Sequence, residues 1–150
     1  MIPWRAFDAV APDMAAAGRR LFADEQAQPT VALLATVGAD GRPRMHPFIP
    51  AVADGGLWAF VIVSPKQRDL DRSGSYSIHS ALGADDESFF IAGAATRVDD
   101  ESLRATVASA MPYSDIDERH LLYEFLVDRA LWTTWTTPTS PAHRHWRLAG

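Results

Sequence analysis

The segment 57–63 constrains the fold most, because all seven of its residues are apolar (Leu-Trp-Ala-Phe-Val-Ile-Val). Successive side chains of a strand point to opposite faces, so a strand of this composition must be buried on both faces. We expect that cover to come from a closed barrel or from a partner subunit. Two further strands, 31–37 and 42–52, precede it and are separated by Gly- and Asp-containing turns. This order predicts an antiparallel meander over 31–63.

The second of these strands contains three prolines, Pro43, Pro47 and Pro50. Proline cannot donate a backbone hydrogen bond, so this strand is expected at an edge or to be irregular. Further strands are predicted at 76–80 and 88–98. A long strand is predicted at 121–137, because its end, Trp132-Thr133-Thr134-Trp135-Thr136-Thr137, is dense in aromatic and β-branched residues. It is expected to pair with 143–148.

Helical periodicity appears in two other segments. Over 12–25, an apolar stripe at helical spacing predicts a helix that packs on the core; it comprises Met14, Ala17, Gly18, Leu21 and Phe22. A second helix is predicted over 100–110, with Asp99 or Asp100 as its N-cap and Leu103 and Val107 facing inward. The chain therefore reads as one mainly β (α+β) domain over 1–150, with six or seven antiparallel strands.

Charge and composition exclude several classes of function. The formal net charge is -5, which argues against a general nucleic-acid or anionic-membrane surface. The chain has no cysteine, and its five histidines lack the spacing of metal ligands, so no metal site is predicted. No apolar run approaches the roughly 18 residues of a transmembrane helix. Because the first residues also lack the pattern of a secretory signal, we expect a cytoplasmic protein.

The segment after the apolar strand, Ser64-Pro65-Lys66-Gln67-Arg68-Asp69-Leu70, predicts the start of a helix. Ser64 and Gln67 form a capping-box pattern, and proline is favoured at the first helical position. Lys66, the only lysine of the chain, and Arg68 add positive charge to this first turn. A bound phosphate would balance that charge. The alternative is a pair of solvated cations offset by Asp69 and Asp71.

Two other groups of polar and aromatic residues are candidate binding elements. Arg44 and His46 share one face of the second strand, where they could contact the same anion or the polar edge of a ring; the alternative is an ordinary exposed strand face. The C-terminal segment concentrates rings and positive charge at Trp132, Trp135, Arg144, His145, Trp146 and Arg147. It could form a cofactor pocket or a subunit interface, or Trp132 and Trp146 could simply close the core.

The order of these features resembles the pyridoxamine 5'-phosphate oxidase-like, flavin-binding split β-barrel family. The resemblance rests on 31–43, on His46-Pro47-Phe48, on 57–63 and on the segment from Ser64 to Leu70. It implies a homodimer of six-stranded antiparallel split β-barrels with a few flanking helices. In that family, each of two clefts between the subunits holds one FMN or, in some branches, the deazaflavin F420.

The resemblance also implies a set of cofactor-binding residues. Lys66 would bind the phosphate, with Ser64 at the same helix start and Arg68 one turn on. The second strand would run along the ring and ribityl chain through His46, Pro47, Phe48, Ile49 and Pro50, with Arg44 a further cofactor-binding candidate on the face of His46. Ala59 and Phe60 would be its third-strand neighbours, and Ser88 would be a polar contact from a later strand. Trp135 and Arg144 or His145 would be lent by the other subunit.

These features lead us to expect an FMN-dependent oxidoreductase that acts on a small molecule. No catalytic acid or base is predicted, because the flavin itself performs the chemistry. Pyridoxamine phosphate oxidation is not predicted, because Pro65 precedes Lys66 where the oxidase usually has Arg-Lys. The alternatives are an F420-dependent reductase of the same fold and a flavin- or haem-binding protein without turnover.

Overall fold

The computed structural model describes residues 1–150 as four helices and eight strands. The helices are α1 (Trp4–Val10), α2 (Pro12–Leu21), α3 (Pro65–Ser73) and α4 (Glu101–Ala110). The strands are β1 (Ala32–Val37), β2 (Pro43–Phe48), β3 (Ala51–Ala53), β4 (Gly56–Ile62), β5 (Ser75–Ser80), β6 (Ser88–Arg97), β7 (His120–Thr137) and β8 (Ser140–Arg147). The predicted mainly β class is confirmed, although the chain has eight strands where the sequence pattern predicted six or seven and the family resemblance implied six.

The strands form one antiparallel sheet that curls on itself. Its order is β2-β1-β5-β6-β7-β4-β3, and β8 pairs with β7. The end strands β2 and β3 are joined by only Ile49 and Pro50. A flat sheet of this width would separate its ends by roughly 29 Å, whereas a two-residue link reaches only about 11 Å. The sheet must therefore curve until its two end strands come close together.

The predicted strand 42–52 is divided at this link. Pro50 has no backbone N–H, so it cannot continue the ladder between the two halves. The hairpins β1–β2 and β3–β4 both form, and the second turns at Asp54 and Gly55, which have φ of 47° and 73°. The predicted meander is wrong in one respect, because β2 pairs only with β1 and not with β4.

Strand β4 is buried on both faces from Gly56 to Val61, as its composition predicted, whereas Ile62 and Val63 at the end of the predicted segment are exposed. Ala59 and Val61 belong to the main core inside the barrel. On the other face, Phe60 packs in a second cluster with Val107 and Met111, from α4 and the residue after it. The outer cover thus comes from the same chain, so β4 by itself does not require a partner subunit.

The N-terminal helices close one side of the core. All five residues of the predicted stripe in 12–25 are buried: Met14, Ala17, Gly18, Leu21 and Phe22. The helix ends at Leu21 rather than at 25, and a separate helix, α1, precedes it. Helix α1 contributes Trp4, whose ring makes edge-to-face contacts with Phe22 and Phe89 at centroid distances of 6.4 Å.

The C-terminal prediction is confirmed, since β8 pairs with the second half of β7, from Arg129 to Thr137. Trp132 and Trp146 are partly buried against the main core. The Trp132 Nε1–H donates to Glu87 at 2.6 Å, and the Trp146 ring lies 4.9 Å from that of Phe7. These two tryptophans therefore close the core, as the alternative interpretation proposed.

None of the four helices has the length and apolar character needed to cross a membrane.

Candidate cofactor-binding site

Helix α3 begins where the sequence predicts, directly after β4. The Ser64 hydroxyl accepts from the Gln67 N–H at 3.4 Å, and Gly74 ends the helix with a φ of 66°. The predicted capping box is only half formed, because the Gln67 side chain donates to Asp71 instead of returning to Ser64. The fixed N-terminus places Lys66 in the first turn of the helix.

Lys66 is a half-buried cation without an acidic partner. Its Nζ donates only to the Pro47 carbonyl, over 3.5 Å, and no carboxylate lies within 4.0 Å of it. Burial lowers the pKa of Lys66, because the charged form is poorly solvated there. Arg68 is exposed.

Arg44 and His46 point from β2 toward α3. Both residues are partly buried and alternate with exposed residues along β2. Arg44 pairs with Thr36 of β1, and His46 pairs with Leu34. His46 Nε2 lies 3.3 Å from the Thr36 hydroxyl. Burial is the main cause that lowers the pKa of His46, and the positive charges of Lys66 and Arg44 lower it further. The structure therefore brings Arg44, His46 and Lys66 into one cluster.

Asp69 lies at the centre of this cluster, although its place in the sequence predicts only a counter-charge to Lys66 and Arg68. Its side chain is 5% exposed and lies 3.7 Å from Arg44 and 3.6 Å from Arg72. It also accepts from the Thr36 hydroxyl at 2.9 Å. The signal that could have revealed this contact is a polar residue, Thr36, at an inward position of an otherwise apolar strand. One carboxylate faces two arginines and leaves Lys66 unpaired, so the cluster carries excess positive charge.

The remaining predicted residues of 47–49 and of β4 mostly belong to the two apolar clusters of the fold. Phe48 is buried in the core, with its ring 5.8 Å from that of Phe125. Ile49 packs against the second cluster beneath α4, which also contains Phe60. Ala59 is fully buried inside the barrel, and Pro47 is exposed.

The predicted residues from later strands lie elsewhere in the same chain. Ser88 pairs with Thr133 at the start of β6. Trp135 is 38% exposed and lines a cavity of about 410 Å³ at the β7–β8 hairpin. Arg144 lies over the Trp132 ring at 5.3 Å, and His145 lines a separate cavity of about 320 Å³. None of these side chains hydrogen-bonds to the cluster around Lys66.

One face of the sheet is open to solvent and largely apolar. Cross-strand partners share a face of a sheet, and successive pairings connect one row across six strands. The members of this row are Pro47, Leu33, His79, Phe90, Leu131 and His145. We call it the outer row. Leu33 is 40% exposed, and the adjacent Met45 is 66% exposed.

Comparison with known proteins places the fold. No protein-family model and no curated protein sequence matches this chain. Among solved structures, a heme binding protein from Mycobacterium smegmatis matches with a TM-score of 0.66 and 19% identity. The match covers 87% of this chain and 57% of that protein, so this chain spans little more than half of its length.

Two other structures extend this result. A protein related to general stress protein 26, of the pyridoxinephosphate oxidase family and from Clostridium acetobutylicum, has a TM-score of 0.62 and 10% identity, with 96% of both chains covered. The fold is the pyridoxamine 5'-phosphate oxidase-like split barrel. The heme storage protein HutZ from Vibrio cholerae shares it, with a TM-score of 0.59, 16% identity and coverage of 79% of this chain and 89% of that one. Solved structures that share this fold therefore include a heme binding protein, a heme storage protein and a protein of the pyridoxinephosphate oxidase family.

Proposed function

We propose that this chain binds FMN and acts as a flavin-dependent oxidoreductase on a small molecule. The observation that supports this most is Lys66, a half-buried cation at a helix start with no carboxylate within 4.0 Å. A phosphate group would supply the missing negative charge. It would also accept from the Lys66 N–H, the one N–H of the first turn of α3 that is left without a partner, because the Gln67 and Arg68 N–H groups donate to Ser64.

The residues around Lys66 fit the phosphate end of a flavin. Lys66 would pair with the phosphate, and Arg44 would add a second positive charge from β2, where Asp69 holds it at 3.7 Å. Bound FMN would supply the hydride or electron transfer. The chain would then need to hold the ring, exclude water and admit the substrate, and no acid or base of its own is assigned to the chemistry.

We further propose that the chain is a homodimer and that the rest of the site comes from the second copy. Trp135, Arg144 and His145 do not reach Lys66 within one chain. The outer row offers the second copy a partly apolar face that starts on β2 at Pro47, whose backbone carbonyl accepts from Lys66, and ends at His145. Contact along this face would complete a cleft between the subunits.

Haem binding is the second candidate. Two of the solved structures that share the fold are described as a heme binding protein and a heme storage protein. In this chain, the exposed His145 borders a cavity of about 320 Å³ together with Phe90 and Leu131. An imidazole beside apolar side chains is a suitable axial ligand for haem iron.

Lys66→Ala tests the flavin proposal. The purified protein would be titrated with FMN, F420 and haemin while its absorbance is recorded, and FMN is expected to bind.

The substitution should weaken FMN binding by about 1.5 to 3 kcal/mol, the scale of a hydrogen bond to a charged group. Riboflavin lacks the phosphate, so its affinity should hardly change. Equal losses for FMN and riboflavin would show that Lys66 does not hold the phosphate, and binding of haemin alone would favour the second candidate.

A further inference from the structure

A continuous hydrogen-bonded chain leads from a buried carboxylate to His46. Asp69 Oδ2 lies 2.9 Å from the Thr36 hydroxyl, and the same hydroxyl lies 3.3 Å from His46 Nε2. Asp69 is also paired with Arg44 and Arg72, as an ionised carboxylate would be. An ionised carboxylate only accepts hydrogen bonds, so the single hydroxyl proton of Thr36 must go to Asp69.

This direction of donation determines which nitrogen of His46 carries its proton. Because the Thr36 proton is already used, the Thr36 oxygen must accept from His46 Nε2–H. A neutral imidazole has one N–H, so its Nδ1 is left as an acceptor. His46 Nδ1 makes no hydrogen bond within the chain.

The charged groups around His46 favour this neutral form. Arg44 lies on the same strand, Thr36 on β1, and Lys66 and Asp69 on α3. The two cations oppose a further positive charge, and only Asp69 favours one. Asp69 is itself shared by two arginines.

We infer that His46 is a specificity-determining residue of the Lys66 site, where its Nδ1 accepts a hydrogen bond from an N–H or O–H group of the flavin rather than binding the phosphate. Thr36 and Asp69 are positioning residues, because they orient the His46 ring without contacting the ligand; Asp69 also holds Arg44. This inference rests on the proposed flavin binding. Lys66 and His46 then have different roles: Lys66 recognises the anionic group, and His46 recognises a hydrogen-bond donor on the uncharged part of the flavin.

The two possible roles of His46 predict opposite effects of pH. An accepting Nδ1 is lost when the imidazole is protonated, so affinity should fall as the pH drops through the pKa of His46. The fall can reach about tenfold per pH unit for one linked proton. A protonated His46 bound to phosphate would instead strengthen FMN binding at low pH. It would leave riboflavin unaffected, since riboflavin has no phosphate.

Riboflavin titrations between pH 8 and pH 5 distinguish these cases. We expect wild-type affinity to fall on acidification. His46→Gln, which keeps an acceptor that does not titrate, should bind riboflavin without that pH dependence, and His46→Phe should bind it weakly at every pH. Two results would overturn the role of His46 while leaving FMN binding in place. The wild-type affinity for riboflavin could stay constant with pH, or it could fall on acidification to the same extent in His46→Gln. Failure of FMN and riboflavin to bind at any pH would overturn the proposed function as well.

The positioning role can be measured without any ligand. In protein labelled with ¹⁵N-histidine, the His46 ring should carry its proton on Nε2, and His46→Gln identifies its signals by their loss. Thr36→Val removes the hydroxyl and should speed exchange of the Nε2 proton with water by roughly threefold to tenfold. Thr36→Ser keeps the hydroxyl and should restore slow exchange. A wild-type ring protonated on Nδ1, or equal exchange rates in the Val and Ser variants, would overturn the inference.

Discussion

At the scale of single residues, Gly93 occupies a position that has no room for any side chain. It lies at the bulge in the β6–β7 ladder, and a Cβ built on it would overlap the carbonyl oxygen of Leu126. That carbonyl also accepts from the Tyr76 hydroxyl at 3.0 Å. Gly93→Ala must therefore displace backbone inside the barrel.

We expect Gly93→Ala to reduce the free energy of unfolding by about 3 kcal/mol, at the upper end of overpacking effects. Urea denaturation would measure it. Gly41→Ala is the matched control, because its turn is open, with nothing within 4 Å of an added Cβ, but it has a φ of 77°. That backbone conformation should cost about 1 kcal/mol. Equal losses in the two variants would contradict the packing argument.

The residues of the candidate site differ in how far sequence alone could predict them. Lys66 could be located because its helix start is encoded locally by Ser64, Pro65 and Gln67. Asp69 could not, because its partners Thr36 and Arg44 come from two other strands, and only the barrel brings them to α3. The roles predicted for Trp135, Arg144 and His145 depend on a second chain and stay predictions.

At the scale of elements, α4 covers the outer face of β4, so its stability should affect the whole barrel. Its N-cap is Asp100, whose side chain accepts from the Leu103 N–H at 2.9 Å. The neighbouring Asp99 pairs only with Arg97, at 3.2 Å on the exposed surface. The two aspartates are adjacent in sequence but differ in structural role.

Asp100→Ala should therefore destabilise the protein by about 1 kcal/mol, the usual value of a helix N-cap. Asp99→Ala should change stability by less than about 0.5 kcal/mol, because an isolated surface ion pair contributes little. Thermal unfolding of both variants measures the difference. A larger loss for Asp99→Ala would show that the cap has been assigned to the wrong residue.

Elements were predictable where local pattern and tertiary packing agree. The long strand β7 follows from its aromatic and β-branched residues, and α4 follows from its cap and inward positions. Helix α1 was missed because it has only seven residues and no side-chain cap. The need to bury both faces of β4 was readable from its composition, but the identity of the covering element depends on contacts between distant segments.

At the scale of the whole molecule, the surface that would join two copies is the outer row, because β4 is already covered by α4 of its own chain. We expect light scattering to give twice the chain mass of 16.5 kDa. Leu33→Arg would place a charge within the apolar face, next to the exposed Met45, and should produce monomers. Leu82→Arg is the control, because Leu82 is 64% exposed in the loop after β5 and lies outside the row. A wild-type monomer that still binds flavin would contradict the shared cleft.

The last prediction concerns which chain supplies Trp135. If the cleft is shared, Lys66 of one subunit and Trp135 of the other serve the same flavin, and Lys66→Ala and Trp135→Ala homodimers should each bind it poorly. A heterodimer of the two variants would then contain one site with both defects and one intact site. About half of its FMN-binding capacity should return, as measured by titration after mixing and re-forming the dimers. If both residues served a site within one chain, every site of the heterodimer would carry one defect. No binding would be recovered, and Trp135 would have to be assigned to its own barrel.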